Sequence, residues 1–472
     1  MADAAKVDTA IAAHAEMARR WELPDDLLGG TRAMREAGPK WLPQEEKEDE
    51  DRYKRRLCRS FLHPGYENGR DRLSSRPFAK PVAVKGDLPD RLKPLLQNVD
   101  GLGSNLTTYA HGLMREAIHR GLAHVLVDLP RNPERRAPAD PKAPRLVPYF
   151  RTVSAKDLIG WRGTASDLSQ IRFRDSRMEE SGDWGEARVD EVRVYEPTRS
   201  RLFVRRGNDT DYAQDPDGET SVTLNKVPLV TCNLVAPGTM CGKPALETLA
   251  WLNLRHWISL SDQQNCLRFA RLAMLFFAGV SKQEADAIVP GPAGLFTSTN
   301  TDAKGGFIEH GGKAMEIGRT DLQDVEAAMA VLALDPMLQQ TGNPTATAKA
   351  IDEANVQSNL LAWVRLVEQT LESSFRLAAE WMQVDLPSDF SIDVHEDVGL
   401  TLRAEWEVRS IIDLWAKKGL TSKQMLHEMK RRGLLGDDLD VDAEVDAIGN
   451  LPPDLAGLGA LFGPRPAAAP AA

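Results

Sequence analysis

Cysteine is scarce: Cys58, Cys232, Cys241 and Cys266 are the four in a chain of 472 residues. So few thiols cannot frame a chain this long, which excludes a disulfide-built secreted scaffold and points to isolated thiols in a reducing cytoplasm. Cys232 and Cys241 have neither a CxxC partner nor a paired histidine, so no zinc site is expected from them. Long apolar runs are missing as well. The longest, residues 272–280, is far short of the ~20 residues a membrane-spanning helix needs. The N-terminus carries Asp3 and Asp8 without an apolar core, unlike a signal peptide. An intracellular or intravirion protein, not embedded in a membrane, is expected.

Positive charge is not in excess either. Lys and Arg number 59 against 69 Asp and Glu, for a net charge of −10. Domains that coat nucleic acid by bulk electrostatics usually have a pI above ~9, so that class is excluded. A protein that encloses a polyanion without gripping it is not.

The signatures of common enzymes are absent too. A P-loop needs GxxxxGK[ST] so that backbone N–H groups cradle phosphate while the lysine and hydroxyl reach phosphate and metal. Gly242-Lys243-Pro244 and Gly312-Lys313-Ala314 come nearest, but Pro237 and Phe307 stand where the first glycine belongs. Neither has the metal-binding hydroxyl, so a packaging ATPase is not expected. There is no GxSxG, HExxH or DFG pattern. His119 and His124 lie on either side of a helix-to-strand junction, so no shared metal face is expected, and they read as surface or half-buried histidines. Asp128 reads as a cap at the end of a strand. Asp437, Asp438, Asp440 and Asp442 lack the glycine and terminal glutamate of an EF-hand. Arg172, Arg174 and Arg177 are expected along one strand face, and Lys430, Arg431 and Arg432 at a helix end. Either group could touch phosphate, but no aromatic residues interleave them to stack bases. No catalytic residue, cofactor or metal is therefore assigned.

What is present is a strong order of elements. Residues 1–22 are alanine-rich and read as a surface helix. The charge run at residues 45–56 reads as a solvated helix, acidic at its start and basic at its end. Asp100-Gly-Leu-Gly-Ser104 supplies a loop and cap for a helix over 106–121, followed by a buried strand over 122–129. Short strands are expected at 146–153, 170–177, 189–196, 202–206 and 222–233, with turns at 180–183 and at Asp215-Pro-Asp-Gly218. From 245 to 280 the pattern is one long helix. Residues 281–318 are glycine-rich and irregular. Helical spacing resumes over 321–334, passes a polar loop, and returns over 348–382. A short strand at 390–394 and two or three helices over 403–448 follow, then an Ala/Pro tail expected to be disordered. The class is α+β with a mostly antiparallel sheet.

Several segments in this order resemble the portal proteins of tailed bacteriophages. Gly30-Thr-Arg-Ala-Met-Arg-Glu-Ala-Gly38, Trp41-Leu-Pro43 and Tyr53-Lys-Arg-Arg-Leu57 are similar to that family's opening. Gly121-Leu-Ala-His-Val-Leu-Val-Asp-Leu-Pro130 is similar to its helix-then-strand unit, followed by Pro148-Tyr-Phe-Arg-Thr-Val153 and Leu158-Ile-Gly-Trp161. Residues 254–277, with Ser261, Asp262 and Asn265, are similar to its first central helix, and 347–381 to its long later helix. Gly419-Leu-Thr-Ser-Lys-Gln424 and Met429-Lys-Arg-Arg-Gly-Leu-Leu435 are similar to its C-terminal helices. No single motif is diagnostic; their shared order over roughly residues 25–450 carries the resemblance. Ala333-Leu-Asp-Pro336 departs from the small and apolar residues of the pattern.

The resemblance implies a portal fold, with an α/β wing, a helical stem, a small clip and a helical crown. The wing would take 1–243 and, with the tunnel loop, 336–402. The stem helices would be 244–278 and 319–335, the clip 279–318, the crown 403–460 and the tail 461–472. It implies a ring, usually of twelve subunits, at one capsid vertex of the virion. Double-stranded DNA would pass through it during packaging and ejection. The terminase large subunit, the major capsid protein and head-completion or adaptor proteins would dock on it. The tunnel loop maps to Gln339, Gln340, Thr341, Gly342, Asn343, Pro344 and Thr345, polar and uncharged as suits a constriction that must let DNA slide. The clip residues Phe296, Phe307 and Ile308 would contact neighbouring subunits, because an insertion this small cannot form a core alone. The alternative is a metal-dependent nuclease or hydrolase of the packaging machinery.

Overall fold

The structure is a computed structural model. It describes residues 6–130, 147–207, 209–271, 274–282, 300, 302–308, 313–333, 346–395, 411–417, 419–431, 435 and 439–449. The chain divides into two compact units, Met1–Glu396 and Asp397–Ala472. Both helices and antiparallel sheets build the first, as the α+β reading requires. Among the described residues no helix is long and apolar enough to cross a membrane.

The larger unit opens with α1 (Ala12–Leu28), which begins later than the alanine pattern suggests and runs on through Pro24. It is not a surface helix: His14, Met17, Trp21 and Leu27 are buried, and Trp21 donates its indole N–H to the carbonyl of Arg120, 3.0 Å away. Next come α2 (Gly30–Ala37), α3 (Glu50–Arg59) and α4 (Gly65–Ser75). The charge run does form α3, capped by Asp49, with Glu50 and Asp51 in its first turn and Arg56 and Arg59 in its last. Arg56, however, is buried against Glu48 at 2.8 Å, so this helix is solvated on part of its surface only.

After β1 (Ala83–Lys85) and the short α5 (Pro94–Gln97) comes α6 (Leu106–Arg120), whose N-cap is Asn105 rather than Ser104. Gly121 ends it in the left-handed conformation (φ 84°) and the chain turns straight into β2 (Leu122–Asp128). In the three-stranded sheet β2 lies between β3 (Tyr149–Ser154) and β9 (Leu229–Asn233), antiparallel to both. Flanked on both sides, β2 is buried along almost its whole length, and this explains its continuous apolar run.

The five-stranded sheet is a meander of β4 (Gly160–Thr164), β5 (Asp167–Ser181), β6 (Gly185–Tyr195), β7 (Arg199–Arg206) and β8 (Ala213–Ser221). Leu158, Leu168, Ile171, Phe173 and Tyr195 join Leu126, Val153 and Leu229 in one core between the two sheets. Two expectations are corrected here. Asp215-Pro-Asp-Gly218 lies inside β8, whose pairing with β7 shifts register between Ser200 and Leu202. The strand expected over 222–233 contracts to β9 and belongs to the other sheet.

His119 and His124, expected at the surface or half-buried, are instead both buried, where each finds a hydrogen-bond partner. His119 is buried, its Nδ1 3.0 Å from the Tyr66 hydroxyl and its Nε2 2.9 Å from Asp25. Asp25 also pairs with Arg120 at 2.9 Å and Lys156 at 2.8 Å. Although burial opposes ionisation, the hydrogen bonds from His119 and Lys156 and the charge of Arg120 hold the Asp25 carboxyl well below the usual range. His124 on β2 contacts the Thr231 hydroxyl at 2.9 Å, and burial pushes its pKa down to about 3. An imidazole with a depressed folded-state pKa stabilises the fold fully above its ordinary value of ~6.5 and loses that contribution as pH falls toward the folded value, at up to ~1.4 kcal/mol per pH unit. Stability is therefore expected to fall between pH 6.5 and 4.5. Replacing His124 by Gln should remove about 2 kcal/mol of that loss, measured by urea unfolding across the range. An equal slope in the variant would refute the assignment.

The second unit contains a helix at residues 411–416 (α10), then α11 (Ser422–Arg431) and α12 (Val441–Gly449). Among the described residues these are three helical segments, where two or three helices were expected. Trp415 donates to Ser422 at 3.0 Å and Lys423 pairs with Asp442 at 2.6 Å. The Ala/Pro tail lies outside the described residues.

Candidate functional site

Two helices form an arm on the larger unit: α7 (Glu247–Arg271) and α8 (Lys313–Leu332). Their contacts run in opposite directions along the two helices. Arg255 pairs with Asp321 at 2.6 Å, His256 with Glu326 at 2.9 Å, and Gln263 donates to the Met315 carbonyl at 2.8 Å. The helices are therefore antiparallel. Beyond α7, β10 (Met274–Ala278) pairs antiparallel with β11 (Lys304–Ile308), which leads into α8. The expected helix over 245–280 is thus corrected: its last apolar stretch is a strand. The second helix begins at Lys313, earlier than 319.

The base of the arm is seated on α4 through close contacts. A Cβ on Gly65 would lie 2.9 Å from Met329 Sδ, and one on Gly69 would lie 2.6 Å from a Leu249 methyl and 2.9 Å from the Ala333 Cβ. Four residues apart, these glycines share one face of α4, and their missing side chains let both arm helices approach. The start of α4 has no cap of its own, because its N-cap is Pro64. Asn253 of α7 takes that role from a distance. Its Oδ1 accepts the Tyr66 N–H at 2.7 Å and its Nδ2 donates to the His63 carbonyl at 2.9 Å. A second buried link joins the hydroxyls of Ser60 and Ser261 at 2.9 Å.

Beside Asn253, the side chains of His63, His256 and Glu326 converge, one ligand-capable atom from each lying within 4.8 Å of the others. The two imidazole rings are 5.0 Å apart, centroid to centroid. Burial lowers the pKa of His63, and the neighbouring His256 adds to the effect. Among the described residues this is the one group of histidine, cysteine and carboxylate side chains placed to hold a metal ion. Sequence reasoning missed it, since it joins a loop before α4 to two helices some two hundred residues later, with no short spacing to betray it.

The residues assigned from sequence fall as follows. Gln339, Gln340, Thr341, Gly342, Asn343, Pro344 and Thr345 lie outside the described residues, and so does Phe296. Phe307 and Ile308 lie on β11, opposite Leu275 and Met274. Asp128 does cap: it accepts the Leu129 N–H at 2.9 Å and the Tyr195 hydroxyl at 2.7 Å. The arginines do not share one face. Arg172 and Arg174 reach the carbonyls of Val7 and Asp8, at 2.9 and 3.0 Å. Arg177 has the opposite parity in β5 and binds the buried Glu191 and Glu179 instead. All three are engaged within the chain, which weakens their case as phosphate contacts.

Residues 245–382 match a family described as a domain of unknown function, DUF4055. The match begins just before α7 and ends at Met382, the last residue of α9 (Ala346–Met382). No curated protein matches the chain.

Proposed function

We propose that the chain is one subunit of a portal ring at a capsid vertex, a channel for double-stranded DNA and a platform for the terminase large subunit, the major capsid protein and head-completion or adaptor proteins. The observation that carries this reading is the arm. Two antiparallel helices, separated by a strand-paired insertion and hung on an α+β body, stand in the order that the resemblance requires of stem, clip and wing. In chain order, the helices that follow residue 410 come where the resemblance would have a crown.

Exposed apolar side chains support a ring. Trp251 on α7 and Ile317, Val331 and Leu332 on α8 are exposed on the single subunit. Neighbouring copies arranged head to tail would cover such positions. The charge balance supports passage rather than capture, because each neutralised phosphate would add affinity and slow sliding. No hydrolysis is assigned to the chain.

Electron microscopy of negatively stained protein tests the reading. Rings of about twelve subunits with a central hole are expected. A homogeneous monomer at micromolar concentration would overturn it, as would a Mg²⁺- or Mn²⁺-dependent nuclease activity that co-purifies with that monomer.

A further inference from the structure

We propose that His63, His256 and Glu326 bind a divalent first-row transition-metal ion, zinc being the best-matched, and that the ion locks the arm to the start of α4. The argument rests on these three residues and their surroundings and does not depend on the ring.

The donor set comes first. Two imidazoles and one carboxylate suit zinc and its neighbours, whereas magnesium and calcium favour all-oxygen sites. The spacing comes next. Ligands held at about 2.0–2.1 Å around a tetrahedral zinc stand roughly 3.4 Å from one another. The widest separation here is within 4.8 Å, so the cluster needs to close by little more than an ångström. His256 Nε2 and Glu326 Oε1 are already 2.9 Å apart, which leaves the adjustment to His63. Its ring makes no hydrogen bond among the described residues, so a side-chain rotation brings it in. Its backbone is already set, the carbonyl accepting from both Asn253 Nδ2 and the Gly65 N–H at 2.9 Å.

His256 is 1% exposed, so a ligand nitrogen is already withdrawn from water where α7, α8 and the start of α4 meet. A cation shared by the three side chains would displace the proton now held between His256 Nε2 and Glu326 Oε1, with water completing the coordination. Because His63 precedes α4 while His256 and Glu326 lie on α7 and α8, the ion would cross-link three segments already joined by the glycine contacts, the Asn253 cap and the α7–α8 polar contacts.

The test uses the full chain, stripped with EDTA, re-equilibrated with zinc and dialysed. Elemental analysis should find one zinc per chain, and the melting temperature should rise by about 5 °C over the stripped protein. His63→Gln should melt like the stripped wild type, yet lose both the zinc-induced rise and at least nine-tenths of the retained zinc. Glu326→Gln should lose the same retention even where its own melting temperature drops with the ion pair. Cobalt(II) in place of zinc should give visible absorption bands in the wild type that His63→Gln lacks. The proposal fails if the wild type retains no zinc, if both variants retain as much as the wild type, or if magnesium raises the melting temperature equally.

Discussion

Replacing Gly121 by alanine is expected to prevent stable folding of the larger unit. Two constraints meet at this residue. Its φ of 84° lies in the left-handed region, which on its own costs an L-residue about 1 kcal/mol or more. A Cβ there would also stand 1.8 Å from the carbonyl oxygen of Lys243, closer than any non-bonded contact allows. The backbone on both sides is committed, since Leu234 donates to the Gly121 carbonyl at 2.9 Å and Ala245 to that of Ile118 at 3.2 Å. Neither partner can move without tearing β2 from β9 or shifting the start of α7. The loss should exceed about 4 kcal/mol, the range reserved for severe steric conflict. Gly103 is the control. Its φ is 101°, but nothing lies within 4 Å of its missing Cβ. Gly103→Ala should fold and lose only about 1–2 kcal/mol. Similar urea midpoints for the two variants would refute the argument.

The second large effect is expected at Glu191. This β6 carboxylate is 0% exposed and lies between Arg177 of β5 and Arg193, which it contacts at 2.9 Å. Removing one partner of a buried charge cluster typically costs ~3–5 kcal/mol, because the remaining charges stay desolvated. Here each arginine keeps another acid, Glu179 for Arg177 and Asp175 for Arg193. Glu191→Gln should therefore fall at the lower end, about 3 kcal/mol, read from denaturant unfolding. A change below about 1 kcal/mol would mean that the cluster is no stronger than a surface pair.

How far the fold was legible follows from such local chemistry. The α6–β2 unit was readable because punctuation and pattern agree: a polar loop before the helix, Gly121 after it, then an unbroken apolar run closed by Pro130. The run at residues 272–280 was not, because a short stretch of continuous apolar residues suits a buried helix or a strand equally well. Its strand character comes from pairing with Lys304–Ile308, a partner about thirty residues away. The Asp-Pro-Asp-Gly of β8 has the composition of a turn, and the pairing with β7 steps from Asp215 to Thr220 across it, a bulge on an edge strand, where proline and glycine are tolerated. The arginines of β5 were misassigned by one step of parity, which on a strand is the whole difference between its two faces. At the candidate site, long-range convergence hid everything of interest. Nothing near His63 in sequence announces Glu326, and nothing near Pro64 announces that Asn253 will cap the helix after it.

The two rims of the five-stranded sheet bear on a different problem, the tendency of exposed strand edges to recruit one another. An unpaired row of backbone N–H and C=O groups is a template for any passing strand. The N-terminal segment does not pair with a rim but packs on a face of the sheet, Val7 and Ala10 against Ile159, Val192 and Val194, with Ile11 donating to the Ile159 carbonyl at 2.9 Å and the carbonyls of Val7 and Asp8 held by Arg172 and Arg174. One rim does carry a safeguard: β8, an edge strand, has Pro216, which has no N–H to offer, among Asp215, Asp217 and Glu219. Copies of this chain crowded together during synthesis would meet, at this rim, a strand that lacks a donor and carries negative charge. Edge-to-edge fusion of their sheets through β8 is thereby opposed.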